Sequence, residues 1–474
     1  MSGVHLPRLL ISAARKSSGK TLVTLGLAQA LQQQGQTVQL FKKGPDYIDP
    51  MWHKAASNRE SYNLDSYLMG NEACQTEFVR RANGAHLSLI EGNLGLHDGL
   101  DLDGSNSSAA LARLLAAPVL LVMDAMGMNR NIAALVHGLQ TFEEGITIGG
   151  VVLNRVRSTR QQEKQVAVIE HYCGVPVVGA IPVLDKPPIT ERHLGLVTPQ
   201  EAAQARQVIA QMGEIVSHHL NLEQVGKIAA EATPLEAPQP GVAPDETTPG
   251  PVATTTPEKE VTIAVAWDPA FCFYYRDNLE ALVAHGARLV FFDALRDTSL
   301  PPLDGLYLGG GFPESFPAEL SANHTLRQDI ATKIQAGLPT YAECGGMMYL
   351  ARSMTLDGKK HEMCGVIPAD VTFQKRPVGY GYVDLVPNGE GSWFPAGEPI
   401  RGHEFHYSRL ENPSPDLRYL YQVERGAGMG EGRDGIILHN LLASYAHIHT
   451  ASAPHWASAF VAAVRAHQAQ NKQI

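Results

Sequence analysis

Short, almost wholly apolar runs recur through the first half of the chain. They lie at Leu9–Ser12, Val38–Phe41, Leu87–Glu91, Val119–Asp124 and Gly150–Asn154. Each is too short for a helix and lacks the polar alternation of a half-exposed strand, so each predicts a strand buried on both faces. Between them Thr21–Gln34 and Ala109–Leu115 carry helical spacing. Buried strands alternating with helices predict a parallel α/β sheet. From Glu231 to Glu260 the pattern stops: Pro234, Pro238, Pro240, Pro244, Pro249, Pro251 and Pro257 alternate with Thr, Ala and Glu, the composition of a linker. It then resumes, with strands expected at Val261–Ala266, Ala287–Phe292, Leu306–Leu308 and Thr340–Ala342 and helices at Asp277–His285 and Leu326–Ala336. The expected organisation is a first α/β domain over 1–230, a linker over 231–260 and a second α/β domain over 261–474. The halves share no sequence repeat, so two different folds are joined.

Length agrees with that division, since 474 residues exceed what one hydrophobic core organises. A formal net charge of −10, with no local run of Lys or Arg, argues against a nucleic-acid surface and favours small-molecule partners. The five cysteines are scattered without a Cys-x-x-Cys pair, which fits a reducing compartment. No apolar run is long enough to span a membrane, and Met1–Pro7 is too short to begin a secretory signal, so a cytoplasmic location is expected.

Candidate chemistry falls at strand ends. After the first run, Ser17, Ser18, Gly19, Lys20 and Thr21 supply a glycine for a bend over phosphates, a lysine for the terminal phosphates and a hydroxyl for magnesium. Ala14 replaces the first glycine of the usual phosphate loop, but the strand before and the helix after keep the context. After the second run, Lys42 to Pro50 carries Asp46 and Asp49, which serve either a metal or substrate or else the turns around Pro45 and Pro50. Glu91, and Asp98 within Gly95–Gly99, could complete a magnesium site with Thr21. Asp65 and Asp124 divide evenly between a site and a helix cap or strand end.

In the second half, Cys344 follows an apolar strand and precedes Gly345 and Gly346. A thiol on a sharp strand-to-helix turn is presented to a substrate, with backbone N–H groups beside it for an oxyanion. Gly309, Gly310 and Gly311 let backbone N–H groups approach the same substrate, or else form a tight loop. His447 and His449 fall on one face if their segment is extended, one as base and the other lining the pocket. A metal pair and ordinary polar packing are the other readings of these histidines. Cys74, Cys173, Cys272 and Cys364 have no such setting and read as packing thiols.

Taken in order, these residues resemble the family of glutamine-dependent cobyrinate a,c-diamide synthases, over nearly the whole chain apart from the linker. The resemblance rests on Lys43-Gly44-Pro45-Asp46-Tyr47-Ile48-Asp49-Pro50, Glu91-Gly92 with Asp98-Gly99, Glu191 to Leu196, Ala270 to Tyr275, Ala342-Glu343-Cys344-Gly345-Gly346 and Gly402 to Ser408. It implies a P-loop, dethiobiotin-synthetase-like parallel-sheet domain followed by a class I glutamine amidotransferase-like domain. It further implies ATP and Mg²⁺ as cofactors and a tetrapyrrole whose peripheral acetates become amides, with a homodimer left open as the assembly. Ser17 to Thr21 would hold ATP, Thr21, Asp46 and Glu91 the metal, and Asp46, Tyr47, Asp49 and Asp98 the substrate. Cys344 and His447 would act as a dyad, with Gly310, Gly311 and Gly345 around the oxyanion. The position two after His447, where the family's wider class carries an orienting acid, is His449. Tyr380-Gly381-Tyr382 and Gly402 to Ser408 would serve the tetrapyrrole pocket or a domain contact.

The chain departs from the family at Ala14 to Ser18, at Asn93-Leu94 and at His97. These changes are similar to the branch thought to amidate sirohaem in dissimilatory sulfur metabolism, which keeps the reaction and changes the macrocycle. Two rival readings are a nucleotide-switch ATPase with a non-catalytic amidotransferase-like module, and a zinc site built from His403, His406, His447 and His449.

Overall fold

The computed structural model describes residues 3–185, 191–192, 195–196, 198–199, 204–236, 260–391 and 393–471. They fall into two compact units, Met1–Val242 and Ala243–Ile474. Most of the expected linker, and His193 and Leu194 of the Glu191–Leu196 motif, lie outside the described residues.

The first unit is built on a parallel sheet whose described strands are, in spatial order, Tyr62–Leu64, Val38–Lys43, Leu87–Glu91, Arg8–Ala13, Val119–Asp124, Ile148–Val156 and Val177–Pro182. All neighbours pair in parallel. The five expected runs form its centre. The two unexpected strands are the edges, one only three residues long and the other interrupted by Gly179 and ended by Pro182, which the chain tolerates at an edge.

Strand alternation divides the aliphatic side chains between two faces. Leu10, Phe41, Ile90, Leu121 and Leu153 pack with Phe78, Ala112, Val136 and Ile169 from the helices covering one face. Leu9, Ile11, Leu40, Leu89, Leu120 and Val122 are equally buried, and their face is served by the helix Lys20–Gln33, which packs on the helix Ala205–His219. Each such side chain contributes about 1.5–3 kcal/mol by leaving water. Because the strands run in one direction, the loops after Ala13, Lys43 and Glu91 open at the same sheet edge.

The second unit carries a ten-stranded mixed sheet. Ala287–Phe292, Val261–Ala266, Gly305–Leu308, Thr340–Glu343 and Leu441–Ser444 run parallel. Arg433–Leu438, Arg418–Arg425, Gly379–Pro387, Ile400–His406 and His447–Ile448 continue it in antiparallel pairing. The expected strands and the helices Arg276–Ala284 and His324–Gln335 are present. The antiparallel extension was not expected, nor was a four-stranded sheet of Lys359–Glu362, Ala351–Leu356, Ile367–Phe373 and Ser408–Glu411. Many of these strands mix buried and exposed positions instead of forming continuous apolar runs, as in Arg418–Arg425. Ala264, Ala266, Leu306, Leu308 and Ala342 face one core, with Phe271 and Met347. Ile263, Val265, Tyr307 and Tyr341 face the other, closed by Trp456 and Phe460 of the helix Trp456–Asn471.

Among the described residues no helix is long and apolar enough to cross a membrane. The five cysteines form no disulfide; Cys74, Cys272 and Cys364 are buried and Cys173 is half-buried.

One buried charge closes the first unit. Arg8, fully buried at the start of the central strand, donates through Nε to the Leu115 carbonyl at 2.5 Å and through its terminal nitrogens to Leu6 at 2.8 Å, Ala116 at 3.3 Å and Thr233 at 2.5 Å. Burial lowers its pKa to about 10, still above neutrality, so the guanidinium stays charged. The Thr233 bond draws in the segment after the helix Leu222–Ala230, where Leu235 also pairs with Val4. Residues 232–235, at the start of the Pro-rich stretch, therefore pack on this unit. Arg8→Met removes every donor and leaves those carbonyls buried, at a cost of about 3 kcal/mol. Urea unfolding read by hydrogen exchange should show an earlier midpoint for peptides of Arg8–Ala13 and Val119–Asp124, with peptides of Thr340–Glu343 unmoved. An unchanged midpoint for the first unit would contradict this role for Arg8.

Candidate active sites

In the first unit the loop after Ala13 turns through Ser17, at φ 58°, and Gly19, at φ 105°, into the helix Lys20–Gln33. Gly19 is required twice: its φ is left-handed, and a Cβ there would stand 2.2 Å from Asn154 Nδ2. Asn154 and Arg155, near the end of the strand Ile148–Val156, donate to the carbonyls of Ser18 at 2.8 Å and Ser17 at 2.9 Å. Lys20 Nζ donates to the Leu94 carbonyl at 2.6 Å. Burial first, then repulsion from Lys42, lowers the Lys20 amine to about 8.

Glu91 is the hub of this edge. Its Oε1 accepts from Thr21 Oγ1 at 2.7 Å and from Lys42 Nζ at 3.2 Å, and its Oε2 lies 2.9 Å from His53 Nε2. Lys42 also contacts Asp49 Oδ2, and His53 Nδ1 lies 3.0 Å from Ser61 Oγ. Burial alone would raise the Glu91 carboxyl, but Lys42, His53 and Thr21 hold it well below the usual carboxylate range. Burial likewise penalises the Lys42 ammonium, and Asp49 and Glu91 outweigh it to raise that pKa. The structure thus brings Thr21, Lys20, Glu91 and Asp49 together. Lys42 and His53 join them without having been singled out from the sequence. The only sequence signal for Lys42 is a lysine closing an apolar strand, and for His53 a position one helical turn after Asp49.

Asp46 Oδ1 accepts from the N–H groups of Ile48 and Asp49, both at 2.9 Å, which is the turn chemistry weighed for it. Tyr47 beside it is buried, and Asn63 fastens the turn through the carbonyls of Gly44 at 2.8 Å and Asp46 at 2.7 Å. Asp98 is exposed, its Oδ2 accepting from Gly95 N–H at 2.8 Å. Asp65 caps the helix Ser66–Met69, and Asp124 pairs with Arg15 and Arg155.

In the second unit Cys344 joins the strand Thr340–Glu343 to the helix Gly345–Leu350 with φ 43° and ψ −101°. The turn is tight because a Cβ at Gly346 would stand 2.2 Å from the Leu308 carbonyl oxygen. Cys344 N–H donates to the Ser444 carbonyl at 2.7 Å. The thiol is buried rather than open to solvent. Burial, then the Glu314 carboxylate, pushes its pKa well above the ordinary value against the N–H of Gly345, so it rests protonated and needs a base.

Gly310 and Gly311 pair with Phe273 and Phe271. A Cβ at Gly311 would lie 2.1 Å from the Ala270 carbonyl oxygen, and one on Gly345 would lie 3.1 Å from Gly311 N. Gly311 and Gly345 therefore lie side by side. His447 lies at this place, since a Cβ at Gly310 would meet its Cε1 at 2.5 Å. Its Nδ1 lies 3.5 Å from Glu343 Oε2, and His403 stacks on its ring with centroids 5.0 Å apart.

His449 lies near the same cluster, its ring packing on Tyr275, which also bonds His403, but it has partners of its own. The strand ends at Ile448, so alternation does not carry through to His449. Its Nε2 lies 3.3 Å from Asp277 Oδ2, and its Nδ1 accepts from Ala451 N–H at 3.1 Å. His406 stacks on Tyr445, and Glu404 accepts from the N–H groups of Ala427 and Gly428. Gly402 to Ser408 thus borders His447 through the pairs Gly402–Ile448 and His403–His447, whereas Tyr380 is exposed. Among the described residues no group of three or more His, Cys, Asp or Glu is arranged to hold a metal ion.

Residues 10–192 match the CobQ/CobB/MinD/ParA nucleotide binding domain, and residues 262–455 match the CobB/CobQ-like glutamine amidotransferase domain. The chain is 47% identical to the cobyrinate a,c-diamide synthase of Magnetococcus marinus over 456 residues, 96% of each chain. It is 38% identical to the cobyrinate a,c-diamide synthase of Methanosarcina barkeri, over 97% of this chain and 96% of that one. The corresponding protein of Archaeoglobus fulgidus is 37% identical over 97% of both chains.

Lys42 gives this edge its test. Lys42→Met leaves Glu91 a buried carboxylate without its lysine, beside Asp49, whose carboxyl is pushed up to about 8 by burial and then by Asp46, a loss of about 3–5 kcal/mol at neutral pH. Glu91's depressed pKa contributes stability above the unfolded carboxylate value and loses it as pH falls. In the variant the Glu91 carboxyl protonates earlier on acidification, so the difference in Tm from wild type should be largest near neutrality and narrow on the acid side. A pH-independent difference would contradict the charge pairing.

Proposed function

Because the chain belongs to the cobyrinate a,c-diamide synthase family, we propose that it converts the peripheral a and c acetates of a cobyrinate-type tetrapyrrole into amides, using ATP and nitrogen from glutamine. The observation that carries this reading is the Cys344 turn, bonded to Ser444 on the strand that leads to His447.

At the C-terminal site the Cys344 sulfur attacks the glutamine amide carbon. His447 takes the thiol proton and returns it to the departing nitrogen, releasing ammonia. Water then cleaves the thioester to glutamate. The N–H groups of Gly345 and of the Gly310-Gly311 segment stabilise the oxyanion. At the N-terminal site the acetate oxygen attacks the terminal phosphate of ATP, because a carboxylate is itself a poor electrophile. ADP leaves, and ammonia displaces phosphate from the acyl phosphate to form the amide. Lys20 and the amides of Ser17 to Thr21 spread the phosphate charge, Lys20 exchanging its Leu94 carbonyl for a phosphate oxygen. Asp46, Tyr47, Asp49 and Asp98 are assigned to the substrate.

Magnesium bound with ATP would neutralise phosphate oxygens. The Thr21 hydroxyl fits as its ligand. Glu91 fits by orienting Thr21, since its oxygens already serve Thr21, Lys42 and His53, and Asp46 would offer the oxygen not used in its turn.

A second reading keeps this chemistry and changes the macrocycle to sirohaem. Asn93-Leu94, one of the departures from the family pattern, supplies the carbonyl that holds Lys20, and His97, another, is fastened to Glu143 at 3.0 Å and the Leu139 carbonyl at 2.8 Å.

The test supplies ATP, Mg²⁺ and glutamine with cobyrinate or sirohaem in separate arms and reads product mass. We expect the exchange of OH for NH₂ at acetate groups of one macrocycle. Cys344→Ala should lose the glutamine-driven reaction by more than about 100-fold and keep it with added ammonium. No amidation of either macrocycle from either nitrogen source would overturn the proposal.

A further inference from the structure

We infer that Glu343, the residue immediately before the nucleophile, is the positioning acid for His447, so that the glutaminase works as a triad whose acid comes from the nucleophile's own strand. The inference rests on the glutaminase reading given above.

A histidine that deprotonates a thiol through Nε2 must carry its proton on Nδ1, and a carboxylate beside Nδ1 fixes that tautomer and stabilises the imidazolium that forms. His447 has this polarity. Its Nδ1 lies 3.5 Å from Glu343 Oε2, while Cε1 and Nε2 face Gly310, at 2.5 and 3.2 Å from where a Cβ would stand. The Nδ1 contact is longer than an ideal hydrogen bond, as catalytic contacts commonly are before substrate binds.

The carboxylate is held for such a role. Glu343 is buried. Its Oε1 accepts from Tyr341 OH at 3.0 Å and from Ile448 N–H at 3.3 Å, and its Oε2 accepts from Tyr307 OH at 3.2 Å. Those donors fix the direction of the carboxylate. The Ile448 bond ties it to the residue next to His447.

The charged and titratable neighbours agree. Tyr274, Tyr307, Tyr341 and Tyr421 surround Glu343 as neutral phenols, their pKa values raised by burial. His403, stacked on His447, is kept neutral by burial and by its proximity to His447 and His449. Cys344 rests as a thiol. His449, which occupies the place two residues after His447, is engaged with Asp277 and Ala451.

The experiment compares glutamine hydrolysis and ammonium-driven amidation across pH in wild type, Glu343→Gln and Glu343→Asp. Glu343→Gln removes the charge and keeps the side chain's shape. We expect kcat/KM for glutamine to fall roughly 10- to 100-fold. The acid limb, which reports protonation of His447, should move down by about one pH unit, with the ammonium reaction unchanged. Glu343→Asp keeps the charge but withdraws it by one carbon, so kcat/KM falls while the limb stays at its wild-type pH. An unmoved limb in Glu343→Gln, an equal loss of the ammonium reaction, or wild-type kcat/KM in Glu343→Asp would overturn the inference alone. Wild-type protein that hydrolyses no glutamine would overturn the glutaminase reading itself.

Discussion

The N–H of Cys344 donates to the carbonyl of Ser444 across two adjacent parallel strands, and the geometry of the thiol site follows from it. It sets Glu343 opposite Ser444, so the strand that ends in the nucleophile stays in register with the strand that continues towards His447. The backbone at Cys344 must then turn at once, because the next helix is pressed so close to Leu308 that Gly346 has no space for a side chain. A left-handed residue other than glycine costs of order 1–3 kcal/mol. Here that conformation is held on one side by the Ser444 bond and on the other by the helix. Asp434 reinforces the second strand by accepting from Ser444 Oγ and from the N–H groups of Tyr445 and Ala446.

The first unit solves a different problem with the same strand direction. A site for phosphates needs positive charge at a sheet edge already filled with carboxylates. Lys42 lies between Asp49 and Glu91, and Glu91 is shared with Thr21 and His53. Lys20, next to this group, keeps a partner in the Leu94 carbonyl. The buried charges are paired, which is the condition on which such groups are tolerated away from water. Removing any one of them unbalances the others, so the residues at this edge act as a group.

Much of this was legible in the chain because parallel strands buried on both faces leave unmistakable apolar runs, and because their ends collect the loops that carry chemistry. Gly19-Lys20-Thr21, Glu91, Cys344 and the Gly310-Gly311 segment all lie at such ends. The less legible parts depend on partners distant in sequence. Glu343 reads as one letter of a motif until Tyr307 and Tyr341 are seen to hold it against His447. Lys42 and His53 acquire meaning only through Glu91. Alternation stops being a guide to His449 after Ile448, because a period of two has no force where the strand stops. The antiparallel strands escaped for the reason that they mix exposed with buried positions.

The central claim is that nitrogen released at Cys344 becomes the amide nitrogen of the product. Glutamine labelled with ¹⁵N at its side-chain amide, supplied with ATP and the accepted tetrapyrrole without added ammonium at neutral pH, tests it directly. The account predicts that the wild-type product carries ¹⁵N at the new amides, and that Cys344→Ala forms no labelled amide. Unlabelled amide from the wild-type protein, or labelled amide from Cys344→Ala, would contradict the coupling of the two reactions.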